Sequence, residues 1–165
     1  MRLLLSIFVM LIFITSCGNN ASYNNTPISK INKYGKYLST QQYKFTTNVN
    51  PATFTFTQDV GAFLPPGPQI VLASSYVITN TTDLNNLLSY NLGGLTDYLK
   101  SINDLDTYTY FLFEDIQCPE YMEGFVENYA NGTLTVGMNI FTLNESCPAL
   151  SGVTSYSIYK ALKAS

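Results

Sequence analysis

The hydrophobic residues of the chain recur with two different periods, and each period predicts a different kind of element. Every second residue is aromatic or β-branched at Tyr43, Phe45 and Thr47 and again at Phe54 and Phe56, which is typical of strands. The break at 48–51 between these two runs predicts a hairpin. Further strands are predicted at 70–72, 76–79, 108–113, 121–129, 133–143 and 154–162.

Helical spacing occurs only in the middle of the chain. Leu84, Leu87 and Leu88 share one face of a segment that follows Asn80, a good N-cap residue, and the glycine pair at 93–94 predicts its end. A second helix with the same spacing is predicted at 95–102. Each helix has a single apolar face and therefore needs a sheet to cover. The predicted fold is α+β, an antiparallel β-sheet of about six to seven strands covered by one or two short helices, with one disulfide.

The Asn131-Gly132 pair is the strongest turn signal, and two registers of its hairpin are open. A two-residue turn would place Glu127 opposite Val136. A three-residue loop, with Gly132 in the left-handed conformation, would instead place Val126 opposite Val136 and Glu127 opposite Thr135. The second register separates apolar from polar residues, so we predict it.

The first 16 residues read as a signal peptide. Arg2 precedes an uncharged apolar run at 3–13, which is too short to span a bilayer comfortably. The ending Ile14-Thr15-Ser16-Cys17 resembles the lipobox of bacterial lipoproteins. The resemblance implies cleavage before Cys17, acylation of that cysteine and anchorage to a lipid bilayer; Gly18, in place of Asp, implies the outer membrane, facing the periplasm. The predicted organisation is a signal peptide at 1–16, a flexible tether at 17–41 and one domain at 42–165.

The other two cysteines, Cys118 and Cys147, flank the two strands of the predicted hairpin at its open end. In an exported protein such a pair predicts a disulfide, which would contribute on the order of 3 kcal/mol by closing a loop of about thirty residues. Two free thiols or a two-cysteine metal site remain as alternatives, although the sequence offers no third ligand of the usual kind.

Composition excludes several chemistries. The chain has no His and no Trp, so histidine-based triads and histidine-ligated zinc are excluded, and the net charge of −3 argues against nucleic acid as a partner. Asp104 and Asp106 resemble the start of a calcium loop but lack the downstream Gly and Glu. Glu114 and Asp115 are adjacent on a strand and point to opposite faces. We therefore predict no enzyme activity, no cofactor and no metal.

Charge and aromatic residues leave two further questions open. Lys30, Lys33, Lys36 and Lys44 precede or lie in the first strand, whereas most acidic residues fall within 97–127. This pattern predicts a basic end near the membrane and an acidic far end, either simply solvated or binding a basic partner. The 13 Tyr and ten Phe either form the core or line a groove for a peptide, glycan or lipid.

From about residue 70 onward, several motifs resemble the C-terminal domain of the protease-complex-subunit (PrcB-type) family of bacterial envelope proteins. They are the segment 76–79, the helix 83–88, the strands 111–113 and 132–136, Cys118-Pro119 before Gly124-Phe125, and Cys147 before the last strand. The family has Gly-Gly-Tyr where this chain has Glu123-Gly124-Phe125. The resemblance implies a small non-enzymatic domain that associates with an envelope protein. The predicted function is therefore protein interaction or assembly by a membrane-anchored lipoprotein; the alternative is a periplasmic binding module that uses an aromatic surface.

Overall fold

The computed structural model describes residues 36–63, 74–90, 92–115, 120–142 and 153–165. These residues form seven strands, two α-helices and one short 3₁₀ turn, Pro51–Thr53. The strands are β1 (Lys36–Thr46), β2 (Thr55–Phe63), β3 (Ser75–Ile78), β4 (Tyr108–Asp115), β5 (Glu120–Ala130), β6 (Thr133–Thr142) and β7 (Val153–Leu162), and the helices are α1 (Thr81–Leu88) and α2 (Gly94–Ser101). The predicted α+β class and strand number are confirmed.

The strands are divided between two antiparallel sheets, of order β1-β6-β5 and β2-β7-β4-β3. The prediction of one sheet was therefore wrong, and so was the hairpin predicted from the first two strands: β1 pairs with β6, and β2 pairs with β7. The connection between them crosses from one sheet to the other, because the N–H of Thr47 donates to Gly132 O of the first sheet and the N–H of Asn50 to Leu162 O of the second. The alternation of residue types along the sequence identified both strands but not the strands with which they pair.

The four-stranded sheet is the middle of three layers. Phe111 and Phe113 of β4 face the three-stranded sheet, and Tyr110 and Leu112 of the same strand face the helices, so both faces of the strand are buried. Phe45 in β1 meets Phe111 and Phe113 edge-on, with ring centroids 5.2 and 5.7 Å apart. Two separate hydrophobic cores therefore lie on either side of one sheet.

The helices cover the second core much as their spacing predicts. The side chain of Asn80 caps α1 by accepting hydrogen bonds from the N–H groups of Thr82 and Asp83, and Leu84 and Leu87 are buried. α1 ends at Leu88, before the glycine pair. Gly93, with φ 60°, is instead the residue before α2, and Gly94 already belongs to α2. The glycines therefore allow the chain to start a helix rather than to end one.

The β5–β6 hairpin combines features of both predicted registers. Asn131 and Gly132 have φ values of 51° and 72°, as a two-residue type I′ turn requires, so the three-residue loop was wrong. Val126 nevertheless lies opposite Val136 as predicted, because Glu127 forms a bulge, and the residue opposite Thr135 is Asn128 rather than Glu127. The extra residue in the bulge shifts the register by one and restores the apolar pairing.

The folded domain begins earlier than residue 42. β1 starts at Lys36 and its residues pair with β6 from that point, with one bulge at Leu38. The predicted tether at 17–41 was therefore too long by at least six residues. Its last part, Ser39-Thr40-Gln41, is polar because it belongs to an edge strand whose side chains are largely exposed, not because it is unfolded.

Gly124 permits a close contact between the two sheets. A Cβ at this position would lie 2.7 Å from Sδ of Met138 and 2.8 Å from Cζ of Tyr159, whose hydroxyl accepts a hydrogen bond from the Gly124 N–H. We expect Gly124→Ala to lower the free energy of unfolding by about 1–3 kcal/mol, because the added methyl overpacks the core. Urea unfolding measures this loss. Gly61→Ala is the matched control, since nothing lies within 4 Å of its Cβ position; equal losses in the two variants would contradict the packing described.

Asp83 makes part of the stability dependent on pH. Burial alone would raise the pKa of its carboxyl, but hydrogen bonds from the N–H and hydroxyl of Thr79 and from Asn80 outweigh burial and lower the pKa. Since the folded-state pKa lies below the unfolded one, this contribution is present above about pH 4 and is lost as the pH falls through the folded pKa. We expect Asp83→Asn to be less stable than the wild type at pH 6, with a smaller difference at pH 3. The exposed Asp106→Asn is the control, and a constant difference between wild type and Asp83→Asn would refute this role.

Candidate functional site

The chain leaves and re-enters the described domain at one end, which we call the tether end. In the three-stranded sheet this end is where β1 and β5 begin and β6 ends. Lys36 of β1 and Glu120 of β5 both pair with Thr142, the last residue of β6. In the four-stranded sheet, the end of β2 pairs with the start of β7. The end of β4 pairs with the start of β3 on one side and with the start of β7 on the other. The connections at the opposite end include 47–54, 102–107 and the Asn131-Gly132 turn. Lys36, the first described residue, therefore lies at the same end as the residues that lead into 64–73, 116–119 and 143–152.

All three cysteines lie outside the described residues. Cys17 precedes β1, Cys118 lies two residues before β5, and Cys147 lies between β6 and β7. Lipidation of Cys17 and pairing of Cys118 with Cys147 therefore stay predictions. The described strands do join Glu120 to Thr142 as ladder partners, so the chain runs toward both of the latter cysteines from adjacent points.

Among the described strands β1 is an edge strand, because it pairs only with β6 and no described strand lies on its other side. The N–H of Thr47 donates to Gly132 O at the end of the β1–β6 ladder, and residues of an antiparallel strand alternate between bonding to their neighbour and pointing away from it. From Ser39 to Thr46 the register is regular, so the odd-numbered residues bond to β6. The N–H groups of Thr40, Gln42, Lys44 and Thr46 therefore point to the open side.

The outer face next to this edge carries a polar network. Tyr37 and Thr40 share a hydrogen bond of 2.8 Å, the Thr40 hydroxyl donates to Oδ1 of Asn139 at 2.6 Å, and Nε2 of Gln42 donates to Oε2 of Glu127 at 2.7 Å. Lys44 is exposed and forms no ion pair with a described residue. The described part of this edge is thus polar, with Lys44 two residues along the strand from Gln42 and its partner Glu127.

The acidic residues are not gathered at the far end. Glu114 lies near the tether end, together with the backbone positions of Asp115 and Glu120, whereas Asp104 and Asp106 lie in the connection at the opposite end. The predicted separation of basic and acidic ends was therefore wrong. Neighbours in sequence were assumed to be neighbours in space, but β4 carries the chain along the full length of the sheet between them.

Asp104 is the centre of a polar cluster that the sequence did not predict. Its carboxylate accepts a 2.6 Å hydrogen bond from the Tyr110 hydroxyl and lies 3.5 Å from Nζ of Lys160, which in turn sits 4.0 Å from the centre of the Tyr108 ring. Burial, then the bond to Asp104, raises the pKa of Tyr110. The cluster connects the turn before β4 to β7, and its contacts are those of a structural interaction; we call it the Asp104–Lys160 clasp.

Most aromatic side chains of the described residues belong to the core. Phe54 stacks on Tyr159 with centroids 4.9 Å apart, and Phe113 meets Tyr43 edge-on at 5.0 Å. Within these ranges the exposed large hydrophobic side chains lie on β1, on β2 and after α1: Tyr37, Leu38, Phe56 and Tyr90. The core interpretation of the aromatic content is therefore confirmed for these residues, and the described part of the chain presents its exposed rings on separate elements.

Tyr156 is fully buried, and its hydroxyl has no hydrogen-bond partner among the residues that the structure covers. Burial raises its pKa, and the charge of Glu114 raises it further, so the hydroxyl stays neutral. We expect Tyr156→Phe to be neutral or to raise the free energy of unfolding by about 1 kcal/mol, because an unsatisfied buried group is removed. Tyr159→Phe, which deletes the acceptor for Gly124, should instead lower it by about 1 kcal/mol. Chemical denaturation compares the two, and an equal loss in both would contradict the arrangement.

Within the described ranges no three His, Cys, Asp or Glu side chains are grouped as metal ligands. In the same ranges no helix is long and apolar enough to cross a membrane. Sequence reasoning missed two features that the fold creates, the open edge of β1 and the Asp104–Lys160 clasp. The first depends on which distant strands pair, and the second joins residues 56 positions apart.

No protein-family model, curated protein or solved structure matches this chain. The likenesses to lipoprotein signals and to the PrcB-type domain thus rest on the motifs themselves.

Proposed function

We propose that this protein is a lipoprotein of the bacterial envelope, anchored through acylated Cys17, whose domain binds another envelope protein and catalyses no reaction. The observation that carries the anchor is the Ile14-Thr15-Ser16-Cys17 sequence after a short apolar run. The position of β1 is compatible with it, because the strand begins at the tether end and runs away from it. An outer-membrane, periplasm-facing location is part of the proposal.

The interaction role is supported by the surface that the fold leaves open. Among the described strands β1, which has eleven residues, pairs on one side only, and sheet edges of this kind bind extended segments of other proteins. The likeness to the PrcB-type domain points the same way, as its members associate with envelope proteins. The cluster of titratable side chains around Asp104 is explained by its structural contacts.

A disulfide between Cys118 and Cys147 is the second part of the proposal. It is supported by the pairing of Glu120 with Thr142, the described residues nearest in sequence to the two cysteines within the β5–β6 hairpin. Such a bond would close the tether end and stabilise the strand ends. A thiol assay under denaturing, non-reducing conditions should find neither cysteine free, and titration of both would remove the disulfide from the proposal.

Crosslinking in intact cells tests the interaction role. A photoreactive amino acid at Leu38, exposed on β1, should give a specific protein adduct identified by mass spectrometry. The same amino acid at Tyr90, exposed after α1, is the control position. Recovery of one envelope protein from position 38 alone supports the role; identical, unspecific adducts from both positions would count against it.

A further inference from the structure

The tip of the β5–β6 hairpin carries the only Asn-Gly pair in the sequence. Asn131 is exposed, and both it and Gly132 have left-handed backbones, with φ values of 51° and 72°. In this two-residue turn the flanking residues, Ala130 and Thr133, are the last ladder partners. The peptide nitrogen of Gly132 therefore lies outside the ladder, at the tip of the hairpin.

The peptide group between Asn131 and Gly132 is not crowded. Gly132 has no side chain, and a Cβ built there would meet nothing within 4 Å. The tips of exposed turns also open more easily than the strands they join, because few contacts hold them. The side-chain amide of Asn131 is therefore free to approach the nitrogen of Gly132, and water has access to both groups.

We propose that Asn131 is a site of non-enzymatic deamidation. The nitrogen of Gly132 bonds to Cγ of Asn131, the bond from Cγ to Nδ2 breaks, and the amide group leaves as ammonia with the proton of the Gly132 N–H. Water then opens the resulting succinimide ring. Breaking the new bond gives aspartate. Breaking the original peptide bond gives isoaspartate, in which the main chain runs through the side chain.

Every other asparagine of the chain precedes a residue that has a side chain. Asn50 precedes a proline, which has no N–H to lose. Asn80 is exposed, but its side-chain oxygen is held by two backbone N–H groups of the α1 cap, at 2.8 and 3.0 Å. Asn128 is exposed as well, but it lies within β5 and not in a turn. Among the described asparagines, the reaction is therefore favoured at Asn131.

The two products differ in their effect on the fold. Aspartate leaves the main chain unchanged, and Asp-Gly forms the same type of turn as Asn-Gly. Isoaspartate adds one carbon to the main chain between Ala130 and Thr133, so the turn no longer matches their pairing. It also moves Gly132 O, which accepts a 2.9 Å hydrogen bond from the Thr47 N–H where the chain leaves β1 for the second sheet. Isoaspartate therefore loosens both the hairpin and this crossing.

Incubation of the folded mature chain in mildly alkaline buffer tests the proposal. Cleavage after Glu127 and Glu145 releases the peptide 128–145, which contains Asn131 together with Asn128 and Asn139. Tandem mass spectrometry should place the exchange of NH₂ for OH at residue 131. The exchange should be at least about tenfold faster there than at Asn128 or Asn139, because the turn opens more often than the strands.

The chain unfolded in guanidinium chloride gives the rate of the reaction without the fold. If the unfolded chain reacts at Asn131 and the folded chain does not, the turn protects this residue and the proposal is overturned. Equal rates at Asn131 and Asn128 in the folded chain would also overturn it, since the turn would then have no effect.

Urea unfolding tests the predicted effect on the fold. The isoaspartyl form, separated by chromatography, should unfold at a lower urea concentration than the wild type. Asn131→Asp is the matched variant and should unfold close to the wild type, because its main chain is unchanged. Identical midpoints for the isoaspartyl form and the wild type would contradict the role given to this turn.

Discussion

Replacing Phe113 by Ala is expected to lower the free energy of unfolding by about 3–5 kcal/mol, the range for a large buried aromatic residue. Phe113 is fully buried between the sheets, and its ring meets those of Tyr43, Phe45 and Tyr159 with centroids 5.0, 5.7 and 5.8 Å apart. The truncation leaves a cavity that these three rings, two from β1 and one from β7, cannot fill without breaking their own contacts. For a domain of this size the melting temperature should fall by roughly 6–20 °C.

Phe56→Ala is the matched control for that loss. Phe56 also contacts Tyr159, with centroids 5.4 Å apart, but it is 48% exposed. Its truncation should cost less than about 1 kcal/mol, because most of its area is already in water. Thermal unfolding followed by circular dichroism measures both. Comparable losses from the two variants would mean that the sheets do not pack through Phe113.

Replacing Cys17 by Ala is expected to move the protein from the membrane fraction to the soluble fraction or to leave it as an unprocessed precursor. Several acyl chains on one cysteine hold a protein on a bilayer far more firmly than a single chain does, so their loss should be nearly all-or-none. Fractionation and immunoblotting report the result. Globomycin, which blocks processing of lipoprotein precursors, should cause the precursor of the wild type to accumulate.

Ser16→Ala is the control for that variant, because it keeps a small residue before the cysteine and should be processed and anchored normally. Unchanged processing and membrane association of Cys17→Ala would eliminate acylation at this residue. The domain itself should fold equally well in both variants, since Cys17 precedes β1 by 19 residues.

Local features of the fold were predictable because their causes are local. The Asn80 cap and the leucine spacing gave α1, and the alternation of apolar residues gave β4, β6 and β7 to within a few residues. The apolar pairing of Val126 with Val136 was also predicted, although the bulge at Glu127 that permits it with a two-residue turn was not. A bulge leaves no mark on composition, since any residue can occupy it.

Long-range features were not predictable in the same way. Phe45 and Phe54 look like members of one hairpin, and only pairing with β6 and β7 separates them into two sheets. The polar residues 39–41 resemble a linker because an edge strand exposes most of its side chains. The candidate site depends on these features: β1 is an edge among the described strands only because it pairs with β6 and not with β2, which no single segment encodes.

The central claim is that a lipid anchor holds this domain at the envelope. Mass spectrometry of the N-terminal tryptic peptide of the mature protein tests it most directly. Lys30 is the first tryptic site after Cys17, so that peptide should span 17–30 and carry the mass of the acyl chains on its cysteine. A peptide with an unmodified Cys17, or one that begins at another residue, would contradict the account.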